Sequence, residues 1–202
     1  FEADLSKLKE NDSDAIMEVF KTLSEAQQDA IEADFQAIDA LAFAGGIKAL
    51  VDEAAYHDKD DSFAKTIAEL TGFHSKVMWA FLNKRSYWKG ASRFLRADNV
   101  SPSFWKKRID LPQASPSVED EDIAELAKAI SSFFYSKQGK GRNCKVEPFR
   151  RYNKEYFFAY PEDFAQSTIE WVSDELKPCA RHPAFEIIFV YCEDERSLDI
   201  YA

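Results

Sequence analysis

Residues 144–163 read CKVEPFRRYNKEYFFAYPED, and this stretch decides the fold class. Apolar and polar side chains alternate on both sides of Asn153-Lys154, the period of two that a half-buried strand shows. The stretch therefore reads as a β-hairpin with Asn153-Lys154 as its turn. Downstream, FEIIFVYCE (185–193) is the most strand-like run in the chain, and ERSLDIY (195–201) follows a short acidic turn and pairs with it. Connections this short permit only antiparallel pairing. Between the hairpins, DFAQSTIEWVSDELK (163–177) reads as a helix with Phe164, Thr168, Trp171, Val172 and Leu176 on one face.

Upstream of residue 139 the apolar period lengthens to that of helices. Ser13 precedes DAIMEVFKTL (14–23), with Ile16, Met17, Val19, Phe20 and Leu23 near helical spacing. Ser24 N-caps a second helix whose apolar face is Ile31, Phe35, Ile38, Leu41 and Ala42, and Gly45-Gly46 end it. Further helices are expected at 47–57, at 63–70 after a cap at Asp61 or Ser62, at 75–83 after Gly72, and at 87–97. Residues 99–118 carry Pro102, Pro112 and Pro116 and form a connector with one helical turn at SFWKK. A long helix capped by Ser117 follows, with Gln138-Gly139-Lys140-Gly141 as its stop. The fold class is α+β: a largely helical N-terminal two-thirds (1–138), then a small antiparallel β-hairpin–α–β-hairpin unit (139–202).

Composition narrows the function classes. A hydrophobic share of 46% is too high for a disordered chain, and six Gly with seven Pro are too few for a fibrous or low-complexity one. No window approaches the roughly 18 uninterrupted apolar residues of a membrane helix. Cys144, Cys179 and Cys192 are an odd set, which fits a reducing, cytoplasmic setting rather than a disulfide scaffold. The opening FEADLSKLKE lacks the basic flank and apolar core of a secretory signal. The start on Phe1 and the strand-like end SLDIYA suggest that the natural protein extends further.

Charge is strongly segregated. The net charge of −10 divides into −11 over residues 1–75, +7 over 76–110, −4 over 111–136, +6 over 137–154 and −8 over 155–202. Both basic blocks also carry aromatic residues. Lysine and arginine neutralise phosphates and aromatic faces stack on bases, so these blocks are the features expected of a nucleic-acid-binding surface. The candidate phosphate contacts are Lys84, Arg85, Lys89, Arg93, Lys106, Lys107, Arg142, Lys145, Arg150 and Arg151, with Trp88 and Tyr152 as stacking residues. The competing expectation is a protein–protein subunit of a larger assembly, mating segregated acidic and basic surfaces with partners or with another copy.

The run Ile67–Asn83, IAELTGFHSKVMWAFLN, places Ala68 four residues before Gly72 and offers Phe73, Val77 or Met78, and Phe81 or Leu82 as packing positions. It resembles the helix-turn-helix of bacterial repressors, in which a small residue of the first helix packs on the second and a glycine makes the turn. The resemblance covers about twenty residues, and Trp79 and Ala80 depart from the outward polar start of a DNA-reading helix.

Catalytic chemistry is thinly represented. His57-Asp58-Lys59-Asp60-Asp61 gathers an imidazole and three carboxylates, the donor types of a metal-dependent hydrolase. Cys179 and His182 have a zinc-like spacing but form only half a site. There is no Gly-x-x-x-x-Gly-Lys-Ser/Thr phosphate loop and no Gly-x-Ser-x-Gly elbow. The reading is a non-catalytic binding module, with no catalytic residue, metal or cofactor assigned.

Overall fold

The computed structural model describes residues 12–59 and 61–202. The protein is α+β, with helices dominating the first part and antiparallel strands the second. The chain divides into two compact units between Leu95 and Arg96.

The helical unit contains α1 (Ser13–Lys21), α2 (Glu25–Leu41), α3 (Ala44–Asp58), α4 (Asp61–Glu69), α5 (Phe73–Asn83) and the first part of α6 (Trp88–Asn99). Local chemistry sets its boundaries. Asp12, rather than Ser13, caps α1, its carboxylate accepting from Ala15 N–H at 3.0 Å. Ser24 caps α2 in a capping box with Gln27. Gly45-Gly46 do not end α2 as the sequence suggests; they sit in the first turn of α3. Gly46 is required there because a Cβ would run into the Leu41 carbonyl. Gly72 breaks the chain at φ 77°, open to glycine and costly for other residues. The core joins Ile38 and Leu41 of α2, Leu50 of α3, Phe63 and Ile67 of α4, Val77, Ala80 and Phe81 of α5, and Tyr87 of the 3-10 turn 85–87.

The sheet unit is built on a five-stranded antiparallel sheet: β1 (Trp105–Arg108), β2 (Cys144–Arg151), β3 (Lys154–Pro161), β6 (Ile187–Cys192) and β7 (Ser197–Tyr201), in the order β1-β7-β6-β3-β2. The helical turn expected at SFWKK (103–107) is a 3-10 turn at Pro102–Phe104, and Trp105–Arg108 form an edge strand, Trp105 opposite Tyr201 and Lys107 opposite Asp199. Helix α7 (Asp120–Gln138) packs on one face, bringing Ile123, Leu126 and Ile130 against Val146, Phe157 and Ile187. Both β1 and α7 belong to the unit that begins at Arg96. Gly139 ends α7 at φ 73°. The opposite face is aromatic, with Phe149, Tyr156, Phe158 and Tyr160 around buried Ile188 and Val190. The proline connector is pinned by Tyr191, whose hydroxyl donates to Pro112 O at 3.3 Å and accepts from Ala114 N at 3.2 Å.

The segment 163–177 is not a helix. It forms most of a second, two-stranded sheet of β4 (Gln166–Val172) and β5 (Glu175–Arg181). Ser173 and Asp174, at φ 51° and 63°, supply the two left-handed positions of a tight hairpin turn. Thr168, Ile169, Trp171 and Val172 are β-branched or aromatic, and Pro178 is unfit for a helix interior. This hairpin is an excursion from the β3–β6 connection, closed at its base by the Glu162–Ala184 bridge.

Candidate functional site

The basic residues singled out in the sequence fall in both units. Lys84, Arg85, Trp88, Lys89 and Arg93 belong to the helical unit; Lys106, Lys107, Arg142, Lys145, Arg150, Arg151 and Tyr152 belong to the sheet unit.

In the helical unit, Arg85 stacks on the Phe81 ring at 3.5 Å and pairs with Asp34 at 3.2 Å. Lys84 lies 5.6 Å from the Tyr87 ring. Trp88 is half-buried and meets Phe81 edge-to-face at 5.0 Å, so its ring serves packing.

In the sheet unit, the cations occupy the two edges. Lys106 and Lys107 lie on β1; Lys145, Arg150 and Arg151 lie on β2. Four interstrand steps separate these edges, about 19 Å at roughly 4.8 Å per step. Several are already neutralised: Lys107 by Glu195 at 2.6 Å, Lys145 by Glu147 at 3.3 Å and Arg150 by Glu155 at 3.3 Å. Arg151 is 8% exposed and pairs with Asp98 at 3.6 Å, so it faces the interior rather than a ligand. Lys106 and Arg142 are exposed. Edge strands present unpaired backbone groups, and short length, proline and cations discourage edge-to-edge association. The four-residue β1 and the Pro148-bearing β2 show these devices, with Lys106, Lys107 and Arg108 on the first and Lys145 and Arg150 on the second.

Tyr152 is the exception. It is 73% exposed at the β2–β3 turn, in the left-handed region at φ 57°. The turn is Tyr152-Asn153, one residue earlier than the alternation suggests.

The helix-turn-helix likeness does not carry into packing. Ala68 is exposed, while α5 buries Val77, Ala80 and Phe81 in the common core. The exposed residues of α5 include Phe73 and Leu82, unsuited to reading base edges.

His57 lies at 2.8 Å from Oε1 of Glu53, whose carboxylate is buried above Gly90. Of the carboxylates of the metal expectation, Asp60 lies outside the described residues, as do the side chains of Asp58 and Asp61. Among the described residues no group of three or more His, Cys, Asp and Glu side chains converges as a metal site. His182, instead of joining Cys179, pairs with Glu162 at 3.0 Å. Burial pushes the Cys144 thiol upward, away from a reactive thiolate.

Two surfaces escaped the sequence reading. The first is an apolar groove of about 810 Å³ between α1, α2 and α5, lined by Ile16, Met17, Phe20, Phe35, Met78 and Leu82 among others. Leu82 is 71% exposed, Phe35 55%, and Ile16 and Met17 50% each, so residues read as helix core face solvent. The available signal was α1 itself: its nine residues include Ile16, Met17, Val19 and Phe20, yet none is buried. The second is one face of the β4–β5 hairpin, where register brings Ile169 opposite Pro178 and Trp171 opposite Leu176. The other face is polar and closed by Arg181–Glu170 at 2.6 Å.

No protein family, curated protein or solved structure matches this chain.

Proposed function

We propose that this chain is a non-catalytic protein-interaction module that docks a partner in the apolar groove of its helical unit. The carrying observation is the groove: about 810 Å³, walled by three helices, with Leu82 and Phe35 more than half exposed. Apolar patches of this kind are unfavourable in water and mark interaction sites in soluble proteins. The mixture of Met, Phe, Leu and Ile suits a deformable hydrophobic contact. The test is selection from a displayed library of helical peptides against the intact protein. Enriched sequences should carry apolar residues at i, i+3, i+4 and i+7, and should lose binding to the Leu82→Ser/Phe35→Ser variant. No enrichment, or binding indifferent to that variant, overturns the reading.

A second reading, contact with nucleic acid, is favoured by Tyr152, an exposed ring at a hairpin tip between Arg151 and Lys154. Here the expected contacts are Lys106 and Arg142, with Tyr152 stacking. Anisotropy titrations of single- and double-stranded oligonucleotides should show log affinity falling linearly with log salt. Tyr152→Ala should weaken single-strand binding by about tenfold, as the loss of one stacked base does. Unchanged affinity in that variant removes the reading.

A further inference from the structure

We infer that the groove of the helical unit accepts an amphipathic helix whose polar flank is basic. This rests on the interaction-module reading and names the chemistry of its partner.

The secondary structure of the occupant follows from what the groove lacks. Its lining is aliphatic, aromatic and thioether side chains, with Glu32, Asp34 and Gln36 as the polar exceptions. An extended peptide would bury backbone N–H and C=O groups against carbon, at a cost of several kcal/mol for each unpaired group transferred. The walls are helices, so they offer no sheet edge to pair with it. A helix brings its backbone hydrogen bonds with it and presents side-chain ridges that fit between those of the wall helices. The longest wall, α2, has 17 residues and is about 25 Å long, room for three to four turns of a partner.

Its charge follows from the walls. Residues 12–41 hold eight acidic side chains against the single cation Lys21. Glu18 pairs with Lys21, Asp34 with Arg85 and Asp39 with His74. Asp14, Glu25, Asp29 and Glu32 are exposed and have no ion-pair partner among the described residues. Of these, Glu32 lines the groove itself, and lysine or arginine on the occupant can lay its methylene stem along the apolar lining and reach that carboxylate. A second copy of the same acidic helices, or an anionic lipid surface, meets repulsion of like charge instead.

The test uses the full chain and three synthetic helical peptides with one shared apolar face. Their polar faces are Lys/Arg, Gln/Ser or Glu. Binding is followed by fluorescence anisotropy at low and high salt. The basic peptide should bind at least about tenfold more tightly than the acidic one at low salt, with the gap closing at high salt, as expected for screened surface charge. Glu32→Gln with Asp29→Asn should narrow the gap and leave the Gln/Ser peptide unchanged. Leu82→Ser with Phe35→Ser, at exposed positions that leave the fold intact by circular dichroism, should abolish binding of the basic peptide. Equal binding of all three peptides overturns the basic-partner inference while the docking groove stands. Binding of none overturns both. Basic-peptide binding that survives Leu82→Ser/Phe35→Ser places the contact elsewhere and also overturns both.

Discussion

The helical unit and the sheet unit differ in where they leave apolar and charged side chains exposed. In the sheet unit, many charges on and beside the strands are matched: Lys107 with Glu195, Arg150 with Glu155, Arg96 with Glu186, Lys140 with Asp163. Helix α7 covers one face of its central strands, and the opposite face carries an aromatic layer of their own side chains. Among the described residues, the helical unit leaves Asp14, Glu25, Asp29 and Glu32 without an ion pair and its apolar groove exposed. The β4–β5 hairpin of the sheet unit also leaves apolar side chains exposed, with Trp171 73% and Ile169 68% exposed.

The comparison breaks first if the closed core of the sheet unit is not what stabilises it. Phe158 is fully buried, edge-to-face with Phe149 at 5.7 Å and stacked on Tyr156. Phe158→Ala should cost about 3–5 kcal/mol by denaturant unfolding followed by circular dichroism. A loss below 1 kcal/mol contradicts the packing described here.

A smaller loss tests the most crowded point of the helical unit. A Cβ on Gly90 collides with the Glu53 carboxylate. Gly90→Ala should destabilise by about 1–3 kcal/mol although alanine favours helix, and Glu53→Ala should relieve part of that penalty in the double variant. Additive losses would show that the two sites do not touch.

Acid should weaken the sheet unit through its matched carboxylates. The Asp163 carboxyl lies below its ordinary range, chiefly because it accepts from the Phe164 N–H and then from Lys140. Glu195 is lowered by Lys107 and Glu170 by Arg181. The folded state holds these protons less tightly than the unfolded chain. Their contribution is therefore present at neutral pH and disappears as pH falls below about 4 and through the folded values. Asp163→Asn should flatten the acid side of the melting-temperature profile, and an unchanged profile counts against the assignment.

The smallest effects belong to the open surfaces. Leu82→Ser and Trp171→Ser should each change stability by no more than about 0.5 kcal/mol, as surface substitutions do. Ser173-Asp174→Asn-Gly should stabilise the β4–β5 hairpin by a few tenths to about 1 kcal/mol, because both residues already occupy left-handed positions. Reduced stability in that variant would mean that the turn is not the two-residue type described.

The α+β class, the helices of the first part and the strands at 144–163 and 185–201 were legible because their periodicity is local. The β4–β5 hairpin was misread because Phe164, Thr168, Trp171, Val172 and Leu176 satisfy a helical spacing as well as their hairpin arrangement. Pro178 and the Ser173-Asp174 turn break the tie. The strand at 105–108 was missed because its pairing partner, β7, lies more than 90 residues away. For the candidate site, the sequence located the cations but not their partners, and most of those partners are distant in sequence, such as Glu195 for Lys107 and Asp98 for Arg151.

The sequence by itself determined which side chains are apolar, where charge concentrates and which segments repeat at 3.6 or at 2. These are properties of residues a few positions apart. Only the tertiary structure decided that Phe35 and Leu82 face water while Phe81 does not, and that Arg151 is buried while Tyr152 is exposed. A residue's exposure depends on whether distant elements cover it, and no local pattern encodes that.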